Sequence, residues 1–234
     1  MSRIQTTFEQ LNGSKALVSY ITAGDPDLRT TLLLMHSLAA NGADIIELGI
    51  PFSDPMADGP TIQRAAERAL AQGVSLKDVL ALVAEFRQSN AATPVVLMGY
   101  LNPVHKMGYT AFAQAAAAAG VDGVLTVDSP VETIAPLHEA LKQQGIDCIF
   151  LVAPTTTEAR IQTIASLASG FVYYVSLKGV TGSAQLDTEA VSRKIELLRK
   201  HIVIPTGVGF RISDAESARK IAAAADAGIV GSRI

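Results

Sequence analysis

Short apolar, β-branched runs alternate along the chain with longer segments of helical period. The apolar runs predict eight strands, at residues 16–22, 44–49, 94–99, 122–127, 148–152, 171–176, 202–205 and 227–231. The helical segments predict helices at residues 28–41, 60–72, 76–89, 109–119, 131–144, 158–168, 188–200 and 213–224. Several strands are apolar on both faces, which is typical of parallel strands buried between a core and covering helices.

This alternation predicts a (β/α)8 barrel of the α/β class. A doubly wound open sheet is the alternative, but no G-x-G-x-x-G turn follows the first strand to support it. No linker or low-complexity stretch divides the chain, so residues 1–234 are predicted to form a single barrel domain. The sequence ends at GSRI just after the eighth predicted strand, so we expect this barrel to lack the final C-terminal helix.

Composition and charge exclude several classes of protein. Hydrophobic residues make up 49% and charged residues 18%, as in a well-buried globular enzyme. The formal net charge of −3 and the absence of a basic patch argue against nucleic-acid binding. Because we find neither a signal peptide nor an apolar run of membrane-spanning length, we expect a cytoplasmic protein that does not enter membranes. The four histidines have no metal-ligand spacing, so no metal site is predicted.

Glu47 interrupts the second predicted strand near its end. Side chains alternate along a strand, so if Ile46 and Leu48 face the helices, Glu47 points into the mouth of the barrel. Active sites of such barrels lie at this C-terminal end of the strands. A structural ion pair with an inward lysine or arginine is the alternative, although the strand ends offer few such partners. Desolvation should raise the pKa of the Glu47 carboxyl group, which suits acid–base chemistry.

Two aspartates, Asp54 and Asp58, follow in the segment FSDPMADGP. Taken singly, each is ordinary for a turn or a helix cap. The loop after the second strand is nevertheless long enough to bring Asp58 back towards Glu47. Two carboxylates in different environments form an acid–base pair that needs no metal, and we predict this pair as the catalytic centre.

Glycine-rich segments are predicted to follow the last three strands. They are SLKGVTGSA, TGVGFRIS and GSRI, at residues 176–184, 206–213 and 231–234. In such barrels the loops after strands seven and eight commonly bind phosphate through backbone N–H groups. Each segment alone is compatible with a tight turn, but the three together predict a phosphate site.

Four segments closely resemble the α-subunit family of tryptophan synthase: ELGIPFSDPMADGPTIQRA, LMGYLNPV, GFVYYVSLKGVTG and GVGF…IVGS. The resemblance implies a (β/α)8 barrel that cleaves indole-3-glycerol phosphate into indole and glyceraldehyde 3-phosphate during tryptophan biosynthesis. It also implies an α2β2 heterotetramer in which the β subunit alone carries pyridoxal phosphate, so that this chain has no cofactor. Two alternatives stay open: a stand-alone lyase, and a catalytically weakened barrel that acts as a binding or activating subunit.

The resemblance also implies roles for individual residues. Glu47 would be the general acid–base at C3 of the indole and at the side-chain hydroxyl, and Asp58 would balance the charge at the ring N–H. The implied substrate-binding residues are Tyr20, Ile62, Tyr100, Leu125, Leu151, Tyr173, Thr181, Gly182, Gly209, Phe210, Gly231 and Ser232. Asp54 and Asn102 are the residues that we expect nearest to the partner subunit.

One departure from the family pattern lies in the predicted phosphate loop. The chain has Arg211 where the family has glycine. We expect a negative φ at Arg211 and an outward side chain, because Gly207 and Gly209 already give this loop conformational freedom. The backbone N–H groups would then still bind phosphate.

Overall fold

The computed structural model describes residues 2–175, 188–209, 219 and 224–234. Eight parallel strands form a closed barrel in chain order, and β8 pairs with β1. The strands are β1 Ala16–Thr22, β2 Ile45–Gly49, β3 Val95–Gly99, β4 Gly123–Thr126, β5 Asp147–Val152, β6 Val172–Val175, β7 Thr206–Gly209 and β8 Ala227–Val230. The predicted (β/α)8 barrel is therefore confirmed.

One described helix precedes β1, and the other described helices cover the outside of the barrel between successive strands. Those described are α1 Arg3–Gln10, α2 Leu28–Ala40, α3 Pro60–Ala71, α4 Leu76–Arg87, α5 Leu101–Met107, α6 Tyr109–Ala119, α7 Ala135–Gln143, α8 Glu158–Leu167 and α9 Thr188–Arg199. The helix predicted at 213–224 lies mostly outside the described residues. The four residues after β8, 231–234, form no helix. No helix in the described part of the chain is long and apolar enough to cross a membrane.

The prediction for the seventh strand was wrong. The strand is Thr206–Gly209, and the apolar run at 202–205 precedes it as irregular chain. Within that run Val203 is 99% exposed, so its β-branched side chain covers no core. The segment TGVG is consequently part of the barrel wall and does not belong to the loop that was expected at 206–213.

Two helices, α1 and α5, were not predicted. The segment LNPVHKM of α5 contains a proline, Pro103, at the third position of the helix. Proline is tolerated in the first turn of a helix, because the N–H group that it lacks would have no partner inside the helix. In α1 the Ser2 hydroxyl accepts a hydrogen bond from the backbone N–H of Gln5 and caps the helix.

The interior of the barrel is apolar at its N-terminal end, and α1 closes that end. Ile4 of α1 is fully buried in a cluster with inward residues such as Val18, Ile45 and Phe171. Phe8 packs on the same cluster, and its ring lies 6.3 Å from that of Phe171. Burial of one such side chain contributes about 1.5–3 kcal/mol. This end of the barrel interior is thus filled by apolar side chains.

Three aspartates fix the N-terminal ends of the strands in the same way. Asp44, Asp122 and Asp226 each stand just before a strand, β2, β4 or β8. Their carboxylates accept hydrogen bonds from backbone N–H groups of the preceding strands, at Leu17 (2.7 Å), Val95 (2.8 Å) and Thr206 (2.9 Å). Such bonds satisfy N–H groups that the parallel ladder leaves free.

Candidate active site

Glu47 faces the inside of the barrel, as its alternation with Ile46 and Leu48 predicts. Ile46 and Leu48 belong to the outer core between strands and helices, whereas Ile45 belongs to the inner cluster. The Glu47 side chain is 1% exposed, and neither of its carboxylate oxygens has a hydrogen-bond partner among the described residues. Burial, and next the charge of Asp58, raise the pKa of Glu47 to about 8. The alternative of a structural ion pair is not seen in the described part of the chain.

Asp58 lies at the end of a β-turn that a tyrosine holds in place. The Asp58 backbone N–H donates to the Pro55 carbonyl at 3.0 Å. The Tyr100 hydroxyl donates to Asp58 Oδ2 at 2.9 Å and accepts from the Ala57 N–H at 3.0 Å. Tyr100 itself stacks on Phe52, with 5.2 Å between the ring centres. The loop after β2 therefore presents its carboxylate towards the end of β3.

The two carboxyl groups differ in what surrounds them. Burial raises the pKa of Asp58, while the hydrogen bond from Tyr100 lowers it. Glu47 receives no such bond from the described residues, and the nearby charge of Asp58 raises its pKa further. The pKa of Asp58 is raised overall by burial, and the bond from Tyr100 offsets part of that rise. Glu47 is thus the group that retains a proton, and Asp58 is the group whose anion receives a hydrogen bond. This difference is what an acid–base pair requires.

Two inward tyrosines stand beside the carboxyl groups, and each depends on a glycine. Tyr20 of β1 is the register partner of Glu47, and Tyr173 lies on β6. A Cβ atom at Gly49 would lie 2.2 Å from the Tyr20 hydroxyl, and one at Gly209 would lie 2.2 Å from the Tyr173 hydroxyl. Both positions thus exclude any larger residue. Burial raises the pKa of both tyrosines, so both phenols stay neutral.

Comparison with known proteins decides the family. Residues 8–234 match the family model described as tryptophan synthase alpha chain. The chain belongs to the tryptophan synthase alpha chain family. It is 74% identical to the tryptophan synthase alpha chain of Neisseria meningitidis serogroup B, over 100% of this chain and 90% of that relative.

Solved structures agree with this assignment. Tryptophan synthase subunit alpha from Legionella pneumophila superposes with a TM-score of 0.93 at 45% identity, covering 99% of this chain and 87% of that one. A structure of the tryptophan synthase α2β2 complex from the hyperthermophile Pyrococcus furiosus superposes with a TM-score of 0.87 at 40% identity, covering 94% of this chain and 88% of that one.

The apolar residues that the resemblance to the tryptophan synthase α-subunit family implies are spread around the barrel mouth. Leu125 of β4 is fully buried in the inner cluster, and Leu151 of β5 packs against it. Ile62 is half-buried in the first turn of α3. These side chains, together with Tyr20 and Tyr173, are candidates for an indole-sized pocket, and their contact with substrate stays a prediction.

The predicted phosphate site is described only in part. Gly209 ends β7, and Gly231 and Ser232 come directly after the neighbouring β8. Gly209 has a packing role, because the Tyr173 hydroxyl occupies the space of its missing side chain. Gly231 lies against the ring of Tyr20, where an added Cβ would be 3.3 Å from the nearest carbon.

The remaining members of that site, Thr181, Gly182 and Phe210, lie outside the described residues. Arg211 lies outside them too, and so does the prediction made for its φ angle. Phosphate binding by these loops therefore stays a prediction.

Asp54 and Asn102 are exposed on the C-terminal side of the barrel. Asp54 accepts a hydrogen bond from the Ser53 hydroxyl at 2.6 Å and precedes the turn that carries Asp58. Asn102 lies in the first turn of α5, two residues after Tyr100. Both side chains are thus next to groups that hold Asp58, and their contact with a partner stays a prediction.

Two polar residues near Asp58 were not among the site residues predicted from the sequence. The Asp128 carboxylate accepts from the backbone N–H of Leu101 at 2.7 Å and so fixes the start of α5, directly after Tyr100. The Gln63 amide donates to the backbone carbonyl of Asp58 at 2.8 Å. A sequence signal for the Gln63 contact does exist. Glutamine near the start of a helix often reaches back to the backbone just before that helix, and here an aspartate-containing loop precedes α3.

Proposed function

We infer that the protein is the lyase subunit of tryptophan biosynthesis and cleaves indole-3-glycerol phosphate into indole and glyceraldehyde 3-phosphate. The observation that supports this most strongly is Glu47. It is a buried carboxyl group with a pKa of about 8, at the C-terminal end of a barrel strand and within the influence of a second carboxylate, Asp58. Family membership supplies the substrate and the reaction class.

The reaction moves one proton from the substrate's hydroxyl group to ring carbon C3. Glu47, which holds its proton near neutral pH, donates that proton to C3, and the indole nitrogen becomes positively charged. Asp58, with its anion stabilised by Tyr100, accepts the hydrogen bond of the ring N–H and balances this charge.

Carbon–carbon cleavage then restores the ring. The Glu47 carboxylate takes the proton from the hydroxyl on the side-chain carbon attached to C3, and that carbon becomes the aldehyde of the product. The electrons of the broken bond return to the ring and neutralise the nitrogen. Glu47 ends protonated, as it began, and no electron donor or metal is required.

We further propose that the chain works with a tryptophan synthase β subunit in an α2β2 assembly, as in the Pyrococcus furiosus complex to which it is similar. In this proposal pyridoxal phosphate belongs to the β subunit alone, and this chain needs no cofactor because carboxyl groups suffice for its proton transfers. The expected location of such a biosynthetic assembly is the cytoplasm.

The experiment is an assay of indole release from indole-3-glycerol phosphate by the purified chain, alone and after mixing with a β subunit. We expect slow cleavage by the chain alone and faster cleavage in the mixture, because docking orders the loops around Asp58. Fast cleavage that mixing does not change would favour a stand-alone lyase. No cleavage under either condition, with β-subunit activity raised by mixing, would favour a purely activating subunit.

A further inference from the structure

The turn that carries Asp58 has little packing of its own. Met56 at its centre is 84% exposed, and Ala57 beside it is exposed as well. A loop with few buried apolar contacts has low local stability, so its position depends on hydrogen bonds to more rigid elements. Described side chains of two such elements reach the turn: Tyr100, between β3 and α5, and Gln63 in α3.

Gln63 holds both ends of the turn. Its Nε2 atom donates to the Asp58 carbonyl at 2.8 Å and lies 3.4 Å from the Pro55 carbonyl. These are the first and last residues of the turn, which its own bond from the Asp58 N–H to Pro55 closes. One amide group therefore fixes the backbone of the turn against α3.

Tyr100 holds the same turn through different atoms. Its hydroxyl contacts the N–H of Ala57 and the carboxylate of Asp58, at 3.0 and 2.9 Å. The phenol can reach both only while the backbone of the turn keeps its present position. Gln63 and Tyr100 therefore hold the same arrangement of the turn, one through backbone carbonyl groups and the other through the Ala57 N–H and the Asp58 carboxylate.

We propose that Gln63 is a positioning residue for cleavage, which keeps Asp58 within reach of the Tyr100 hydroxyl and of the indole N–H. The described hydrogen bonds of Gln63 go to backbone carbonyl groups of the turn, so in this proposal it acts through Asp58. This inference rests on the proposed function and adds a determinant of turnover that lies on α3.

The chain offers a matched control on the same helix. Gln72, at the C-terminal end of α3, also points its amide at backbone carbonyls of a loop, those of Gly24 and Pro26 between β1 and α2. That loop contributes none of the predicted catalytic or binding residues. Gln63→Met and Gln72→Met therefore remove the same kind of contact and differ in whether Asp58 is involved.

The experiment compares these two variants with the wild type, each complexed with a β subunit. Gln63→Met should lower kcat for indole release about 10-fold, while KM changes little. A misplacement of a catalytic group by about 1 Å can lower the rate roughly 100-fold, so a smaller loss is expected from a shift of Asp58. Gln72→Met should keep the wild-type kcat. Gln63→Glu, which keeps the side-chain length but replaces the donor by an acceptor at neutral pH, should resemble Gln63→Met.

The pH profile separates positioning from a general loss of structure. Burial raises the pKa of Asp58 and the hydrogen bond from Tyr100 lowers it, and the charge of Asp58 acts in turn on Glu47, Tyr20 and Tyr173. If the phenol moves away, the Asp58 anion loses its stabilising donor, so the acidic limb of the kcat profile should shift to higher pH in Gln63→Met alone. Equal kcat values and equal profiles in the two methionine variants would overturn the proposal.

Amide hydrogen exchange gives a readout that does not depend on activity. The N–H groups of Ala57 and Asp58 should exchange faster in Gln63→Met than in the wild type or in Gln72→Met, because both are bonded only while the turn is held. Unchanged exchange would count against Gln63 even if activity fell. If the wild-type complex released no indole, the proposed function would fail, while this exchange comparison would still decide the role of Gln63.

Discussion

Two buried carboxylates, one at each end of the barrel, differ in their hydrogen bonding and in the role that we assign to each. Asp122 lies at the N-terminal end and is 5% exposed, and Glu47 lies towards the C-terminal end and is 1% exposed. Asp122 accepts hydrogen bonds from Arg3 at 2.7 Å, from Arg87 at 2.6 Å and from the Val95 N–H at 2.8 Å. Glu47 accepts none from the described residues.

The difference indicates where the fold tolerates a loss of stability. Buried polar groups are almost always hydrogen-bonded, and a buried carboxyl group without partners lowers stability. Asp122 obeys this rule and joins α1, α4 and the start of β3. Glu47 breaks it at the end of the barrel where the substrate is expected, which is where departures from good packing are usually functional. Buried carboxylates thus stabilise one end of the barrel, and at the other end one is the proposed acid–base.

The largest expected effect is on activity at Glu47. Glu47→Gln keeps the size of the side chain but cannot exchange a proton, so indole release should fall by about 10²–10⁴-fold. The assay is single-turnover cleavage of indole-3-glycerol phosphate by the variant in complex with a β subunit, with glycerol phosphate binding as the check that the site is intact. Near-normal cleavage by the variant would contradict the assignment of Glu47 as the general acid–base.

The second largest expected effect is a loss of unfolding free energy in the variant Asp122→Ala. Asp122→Ala leaves Arg87 buried without its carboxylate, and removing one partner of a buried pair costs about 3–5 kcal/mol of unfolding free energy. Asp44→Ala is the matched control, because Asp44 makes the same contact to a strand N–H but is half-buried and forms no ion pair with an arginine of the described residues. Urea denaturation should show a much smaller loss for the control. Similar losses in both would mean that the N–H contact, and not the arginine pair, is what matters.

Most of the fold can be predicted from local pattern. The apolar runs located seven of the eight strands to within one residue or so of their observed ends, and strand alternation placed Glu47 on the inner face. Both results rest on burial, which the sequence encodes directly as apolar side chains at regular spacing. The same burial argument predicted the raised pKa of Glu47.

The errors arise where a residue's role depends on a distant part of the chain. The segment TGVG of β7 looked like a loop because its glycines are required by neighbours from other strands, as Gly209 is by Tyr173 of β6. The position of the β2–α3 loop likewise depends on a distant part of the chain. The motif singled out Asp58, but its contact with Tyr100 joins residues 42 positions apart, and no local pattern reveals it.

A pH-dependent effect on stability is expected from Glu47 and should be smaller. Its pKa is about 8 when folded against an ordinary value of 4.5, so protonated Glu47 favours the folded state. That stability is fully present below pH 4.5 and is lost as the pH rises through about 8. Glu47→Gln cannot titrate, so its unfolding free energy relative to the wild type should increase by about 1.4 kcal/mol per pH unit between these limits.

Urea denaturation of the two proteins at pH 5 and pH 7 measures this difference. The other titrating groups are common to both proteins and cancel in the comparison. The variant should gain about 3 kcal/mol on the wild type between the two pH values. A difference that does not change with pH would show that Glu47 is not desolvated in the folded protein.

The smallest expected effect concerns the second arginine on Asp122. Arg3 and Arg87 lie at nearly the same distance from this carboxylate, 2.7 and 2.6 Å, but the Arg3 side chain is 41% exposed and that of Arg87 only 11%. An exposed ion pair is screened by water and contributes at most about 1 kcal/mol. The helix that carries Arg3 is held independently by Ile4 and Phe8 in the inner cluster, so Arg3→Ala should leave α1 docked. Urea denaturation should therefore show a loss of about 1 kcal/mol or less, which added salt reduces further. A loss as large as that of Asp122→Ala would show instead that the Arg3 contact, and not the burial of Arg87, makes this end of the barrel depend on Asp122.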